Sequence, residues 1–207
     1  LVVNFKENIM TNTEKTVALV VGGSSGMGKD IAKRLLAGGT AVMVLARDAK
    51  RLAEARLELE PLGAVEIVEV DLFDEAAVKL LIAQLDGEPR HIKYLVNSAG
   101  SFKPTAFLDH TEADYDQYAD VNRSVFFITQ AVARNMKRHG GGSIVNLGSM
   151  WAQQAIKATH PFLRVFDGES RAALPDPASG DGASRVGHSR ERRLTRRGGH
   201  AHLWRVY

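Results

Sequence analysis

The chain has no cysteine in its 207 residues, which excludes disulfides and thiolate metal sites and fits a reducing cytoplasm. Long hydrophobic runs are also missing. The longest apolar stretches, such as Ala41–Ala46, are strand-length, far short of the roughly 20 residues that a membrane helix needs. No secretory signal pattern is visible, so a soluble cytoplasmic protein without a membrane partner is expected. Two further scarcities are local. No tyrosine lies between Tyr118 and Tyr207, and no lysine follows Lys157. Residues 1–159 hold ten Lys and eight Arg, whereas residues 160–207 hold nine Arg and no Lys. The formal net charge of +3 therefore joins a body of net −1 to a tail of net +4. With 44% hydrophobic and 25% charged residues, the chain is long enough for one globular core.

What is present in the body is an alternation of strand and helix patterns. Residues 17–21 are a continuous apolar run, as a parallel strand buried on both faces requires. Gly22-Gly23-Ser24-Ser25-Gly26-Met27-Gly28 follows at once, and helical spacing through Ile31, Leu35 and Leu36 continues over residues 29–37. Strand, glycine loop and helix in that order suit a phosphate. Glycines let a pyrophosphate approach the backbone, and the helix N-terminus offers free amides and a positive dipole end. Further strands are predicted over 41–46, 64–70, 92–96 and 143–147. Helices are predicted over 49–60, over 74–85 with Asp74 as cap, and over 112–139. Such alternation implies right-handed crossovers and an α/β, Rossmann-type, doubly wound parallel sheet. Residues 160–207 show neither a period of 2 nor one of 3.6. They are expected to form an irregular Arg- and Gly-rich tail, leaving the sheet incomplete on its C-terminal side.

Five motifs, in order, resemble the short-chain dehydrogenase/reductase family of classical type. Val21-Gly22-Gly23-Ser24-Ser25-Gly26-Met27-Gly28 is similar to its TGxxxGxG loop, with Val21 for Thr. Val70-Asp71-Leu72 resembles the segment that touches adenine. Asn97-Ser98-Ala99-Gly100 resembles NNAG with Ser98 for the second Asn, and Asp120-Val121-Asn122 resembles the helix segment bearing the active-site Asn. Ser143-Ile144-Val145-Asn146-Leu147-Gly148-Ser149 ends on the position of the catalytic Ser. The resemblance implies an NAD(P)-dependent oxidoreductase that moves a hydride between nicotinamide and a small carbonyl or alcohol substrate. It implies that Gly22, Ser24, Ser25, Gly26, Met27 and Gly28 shape the pyrophosphate site. By the same resemblance, Asp71 with Leu72 holds the adenine, and Asn97, Ala99 and Gly100 line the cleft. Ser149 would hold the substrate oxygen, and Asn122 would support a water in the proton relay. From the residues alone, Asn122 equally suits a polar contact within its helix, and Ser149 a strand-end hydroxyl serving the backbone. No metal is implied, and intact members of the family are usually homo-oligomers.

The end of the second strand bears on which cofactor is preferred. An acidic residue there binds the ribose hydroxyls of NAD and repels a 2′-phosphate. Leu45-Ala46-Arg47-Asp48 places neutral Ala46 at that position and Arg47 next, and a charge-assisted contact from guanidinium to phosphate contributes about 1.5–3 kcal/mol. NADP is therefore preferred to NAD. A shift of one residue would make Asp48 a ribose ligand, although Asp48 can equally cap the next helix.

The family protonates its substrate with a Tyr whose pKa, about 10 when unperturbed, is lowered by a Lys in a Y-x-x-x-K element. That pair should lie about 12 to 16 residues beyond Ser149, where this chain has neither residue. Back-translation of residues 160–173 and reading from the second base of the first codon permits T-P-S-S-A-Y-S-M-A-K-A-G-L, which contains the element. The same frame through residue 199 permits H-x-L-T-Q-H-L-A-M-E-L-A-E-S-G-I-R-V-N-A-V-S-P-A-V-V, which resembles the next helix and strand of the family. A reading-frame change near Thr159 is inferred.

Three other features have simpler explanations. Arg192-Arg193 and Arg196-Arg197 suggest a nucleic-acid arm, but the tail mixes in Asp and Glu and has little aromatic interleaving, so no nucleic-acid partner is expected. His200-Ala201-His202 lacks the further ligands of a metal site. Residues 1–9 precede Met10 and read as a non-native leader. Lys6 and Glu7 can be encoded as a ribosome-binding sequence, which suggests a bacterial gene starting at Met10. Trp151, Gln153 and Gln154 are candidates to line a substrate pocket or to pack the sheet end.

Overall fold

Strand β1 (Thr16–Val21) is buried from Val17 onward, because helices cover both faces of the sheet that it centres. The computed structural model describes residues 16–100, 105, 107–148, 192–196 and 199–206. β1 pairs in parallel with β2 (Ala41–Ala46) on one side and β4 (His91–Asn97) on the other. β3 (Val65–Glu69) extends the first side and β5 (Gly142–Gly148) the second, both in parallel. The alternation that predicted a parallel α/β sheet is thus realised, with each strand within two residues of its expected position.

Period-2 alternation divides the core. Ala18, Val20, Val42 and Val44 face α1 (Gly26–Ala37) and α2 (Ala49–Leu59), meeting Ala32, Leu36, Leu52 and Leu59. Val17, Leu19, Met43 and Leu45 face α3 (Glu75–Gly87) and α4 (Glu112–Arg138), meeting Val78, Leu81, Ile128, Val132 and Met136. A fully buried Leu or Val side chain contributes roughly 1.5–3 kcal/mol, so these two layers hold the sheet. Helix starts follow from short polar side chains. Asp74 accepts from the Ala76 and Ala77 amides at 2.9 and 3.0 Å, as predicted, and Thr111 and Asp114 form a reciprocal capping box on α4.

At the end of the sheet where β4 begins, a polar cluster replaces apolar packing. The Arg90 guanidinium binds Glu88 through Nε at 2.8 Å and Nη2 at 2.9 Å, and also pairs with Glu66. Burial alone would raise the Glu88 carboxyl, but hydrogen bonds from the Arg90 side chain and backbone outweigh it and hold the carboxyl below its usual range. Arg90 is correspondingly raised, chiefly by its bond to Glu88. Asn135 of α4, fully buried, accepts from the Ile92 amide at 2.9 Å and donates to the Glu88 and Arg90 carbonyls. It satisfies the chain entering β4.

The expectation of an irregular tail over 160–207 requires correction for its last part. Arg192–Arg196 (β6) and Gly199–Val206 (β7) pair with each other antiparallel, and β7 pairs antiparallel with β5. The sheet order is β3-β2-β1-β4-β5-β7-β6. β5 would otherwise expose a row of backbone donors and acceptors. Ladder bonds come from the main chain, so a segment without a clear side-chain period can still take that edge. The rest of 160–207 lies outside the described residues, as do the proposed frame junction near Thr159 and residues 1–9.

Candidate functional site

The sheet reverses its winding at β1, where β2 and β4 lie on opposite sides. Open α/β sheets bind ligands at such switch points, beyond the carboxyl ends of the strands. The two loops that leave β1 and β4 meet there. The Ser98 amide donates to the Val21 carbonyl at 2.9 Å, and the Gly22 amide donates to Leu45 at 2.7 Å. Gly22 has φ +82, and a Cβ on it would lie 2.6 Å from the Ala99 amide nitrogen, so no other residue fits. A Cβ on Gly28 would collide with the Ser98 hydroxyl and the Gly22 carbonyl. Ser98, which departs from the family pattern, donates its hydroxyl to Val21 at 2.9 Å and Gly22 at 3.1 Å. It fastens the two loops together, a role that the sequence did not disclose.

Gly26 and Gly100 have the opposite surroundings, with nothing among the described residues within 4 Å of where a Cβ would stand. Both border open space, as do Ser25 and Met27, the latter 62% exposed. α1 begins at Gly26, three residues before its predicted start, because the glycine loop itself turns into the helix. Its N-cap, Ser25, makes no side-chain capping bond and no acidic residue lies in its first turn. By contrast the caps of α2, α3 and α4 all accept backbone amides. Among the described residues, the first-turn amides of α1 are thus left without a side-chain acceptor at the cradle between the loops. Ser24 is partly buried beside them.

At the neighbouring strand ends, Asp71 accepts from the Phe73 amide at 3.2 Å through Oδ1, and the Leu72 carbonyl accepts from the buried Ser124 hydroxyl at 2.7 Å. Arg47 is exposed, with its guanidinium carbon 5.9 Å from the centre of the Phe73 ring. Asp48 caps α2: Oδ1 accepts from the Arg51 amide at 3.0 Å, and Oδ2 lies 3.5 Å from the Arg51 guanidinium. Asp48 thus makes the capping contact that was one of its two expected roles. Asn97, 5% exposed, donates to Thr129 at 3.0 Å and Asn146 at 2.7 Å, tying β4 to α4 and β5. Its Oδ1 has no partner among the described residues. Ala99 packs against the core.

Asn122 sits on the exposed side of α4 and donates to the Tyr118 carbonyl at 2.9 Å, the contact within its own helix that its residue type allowed. Ser149 lies outside the described residues, as do Trp151, Gln153 and Gln154. Among the described residues no group of three or more His, Asp or Glu could hold a metal, and no helix is long and apolar enough to cross a membrane.

A doubly wound sheet with this cradle at its switch point defines a class, the Rossmann-type α/β proteins. Residues 16–162 match the short chain dehydrogenase family model, and the chain belongs to that family. It is 33% identical over 149 residues to sulfoacetaldehyde reductase 2 of Chromohalobacter salexigens, covering 70% of this chain and 59% of that one. It is 34% identical over 148 residues to gluconate 5-dehydrogenase of Gluconobacter oxydans, covering 70% and 57%. Among solved structures it is similar to a short-chain dehydrogenase from Sphingobium yanoikuyae in complex with NADPH, with TM-score 0.62 and 30% identity over 67% of this chain and 54% of the other. The chain thus spans less than two thirds of the length of these relatives.

Proposed function

We propose that this chain carries the nucleotide-binding half of an NADP-preferring oxidoreductase acting on small carbonyl or alcohol compounds. The single observation that carries the proposal is the uncapped N-terminus of α1, open at the glycine cradle where the sheet switches direction. Those amides and the dipole suit a pyrophosphate, and the absence of a Cβ at Gly26 leaves it room. Gly22, Ser24, Ser25, Gly26, Met27 and Gly28 would hold the pyrophosphate. Asp71, with one carboxylate oxygen already fixing its own turn, would receive the adenine amino group beside Leu72. Asn97, Ala99 and Gly100 would form the wall next to the nicotinamide ribose. Arg47 would take the 2′-phosphate, which Asp48, committed to α2, does not oppose. NADPH bound to the Sphingobium relative supports the same preference.

When bound, the cofactor would supply or accept a hydride at the substrate carbon. The remaining chemistry falls to the chain: Ser149 would donate a hydrogen bond to the substrate oxygen, and Asn122 would hold a water through its amide oxygen. A general acid must still deliver the proton, and removing one costs about 10²- to 10⁴-fold. Taken literally, the chain is a nucleotide-binding module with little or no turnover, because it has no Tyr between Tyr118 and Tyr207. The family match stops at residue 162, close to Thr159, which supports a frame change there over a natural tail. Sequencing independently cloned DNA across codons 155–165 tests this, and an unbroken frame would refute it. NADPH oxidation with a panel of carbonyl substrates tests the activity: the chain with its frame restored should turn over, and the chain as written should not. Robust turnover by the latter would overturn the assignment of the missing pair.

A further inference from the structure

The groove between α3 and α4 has nothing in the structure to name its occupant. The Arg90 cluster is closed upon itself.

Arg47 leaves the end of β2 exposed, yet no carboxylate pairs with it among the described residues. The one next to it, Asp48, is turned to Arg51, with Oδ1 on the Arg51 amide at 3.0 Å and Oδ2 3.5 Å from the guanidinium. What holds Arg47 is the face of Phe73, 5.9 Å from guanidinium carbon to ring centre. Such a contact orients a guanidinium without neutralising it, so its charge and its hydrogen-bond donors remain available. Phe73 is itself fixed from both sides. Its amide donates to Asp71 Oδ1 at 3.2 Å, Asp74 closes the turn by donating to the Asp71 carbonyl at 3.0 Å, and Asp74 then caps α3. The turn that would present Asp71 to adenine therefore also sets the platform for Arg47.

We infer that Phe73 is a positioning residue that holds the Arg47 guanidinium ready for a phosphate on the 2′-oxygen of an adenine nucleotide, and so contributes to discrimination by that phosphate. This rests on the proposal that the cradle binds a dinucleotide with Arg47 at its 2′-phosphate. A cation on an aromatic face at an exposed site changes an equilibrium by about two- to fivefold.

The test is calorimetric binding of adenosine 2′,5′-bisphosphate and of 5′-AMP to the full chain, taking the ratio of the two affinities. The unaltered protein should prefer the bisphosphate. Phe73→Leu should lower that preference about two- to fivefold with 5′-AMP binding unchanged, which also shows that the variant is folded. Phe73→Tyr, which keeps the ring, should restore it. Arg47→Ala should abolish the preference, and adding Phe73→Leu to Arg47→Ala should change nothing more, since the two act as one unit. An unchanged preference in Phe73→Leu overturns the inference, while its loss in Arg47→Ala leaves the underlying cofactor proposal standing. Equal loss of both nucleotides in Phe73→Leu means that the ring stacks on adenine instead, and also overturns it. An unaltered protein that binds neither fragment, or does not distinguish them, overturns the cofactor proposal and the inference together.

Discussion

A glycine in this chain is required or dispensable according to what stands where its Cβ would be. Gly28→Ala would drive a methyl group into the Gly22 carbonyl and the Ser98 hydroxyl. We expect it to cost about 1–3 kcal/mol in urea unfolding and to lower nucleotide affinity at least about tenfold, about 1.4 kcal/mol. Gly87→Ala, at the last turn of α3 with open space around it, should instead stabilise by about 0.5 kcal/mol. Sequence spacing singled out Gly28 as part of a loop motif but not its reason, because Ser98 arrives from the far end of β4. Arg47 and Asp48 show the same limit. Both stood at the right place for a ribose, and only the structure shows that Asp48 accepts from the Arg51 amide to cap α2 while Arg47 does not pair with it.

Among the elements, the helix N-termini separate structural duty from binding. Asp74 was legible as a cap because a short acidic side chain precedes a helical pattern, and Asp74→Ala should cost about 1 kcal/mol in thermal or urea unfolding. Ser25, also a short polar side chain, stands at the N-cap of α1 yet makes no capping bond. Ser25→Asp should therefore separate stability from function. A carboxylate at that position would stabilise α1 by about 0.3–1 kcal/mol, while placing negative charge where the pyrophosphate is proposed to sit. A raised unfolding midpoint together with weakened binding of NADP is the expected pair of results. Improved or unchanged binding would count against the cradle as a phosphate site.

Over the whole molecule, the polar cluster at the start of β4 links acid stability to the sheet. Glu88 and Arg90 are 7% and 8% exposed, and their pairing lowers the Glu88 carboxyl from its ordinary 4.5. The stability from this carboxylate is complete above about pH 4.5 and is lost as pH falls through the lowered folded value. Urea unfolding followed from pH 7 to pH 3 should show that loss, with a shallower dependence in Glu88→Gln. Arg90→Met leaves Glu88 buried without its partner and should cost about 3–5 kcal/mol at neutral pH, whereas exchanging both for apolar residues should cost far less. None of this was visible in the sequence, since Glu66, the Glu88-Arg90 pair and Asn135 come from three places in the chain. The antiparallel hairpin on β5 was likewise unforeseen, because main-chain pairing needs an unoccupied edge more than a side-chain pattern. Removing residues 160–207 should free that edge and raise aggregation, measured by light scattering against the full chain.

The sequence by itself determined the strand and helix order, the parallel sheet, the phosphate-type loop, the family, and the lack of a Tyr-x-x-x-Lys pair beyond Ser149. These are properties of local period, composition and motif order, which need no knowledge of what lies across the fold. Tertiary structure alone decided that α1 is left uncapped at the cradle, that Ser98 fastens the two loops, that Asp48 serves α2 while Arg47 rests on Phe73, and that a buried ion cluster starts β4. The Ser98, Phe73 and Glu66 contacts join segments distant in sequence, and the local ones at Ser25 and Asp48 depend on which rotamer the folded surroundings select, so their energies are fixed by distance and burial that only folding supplies.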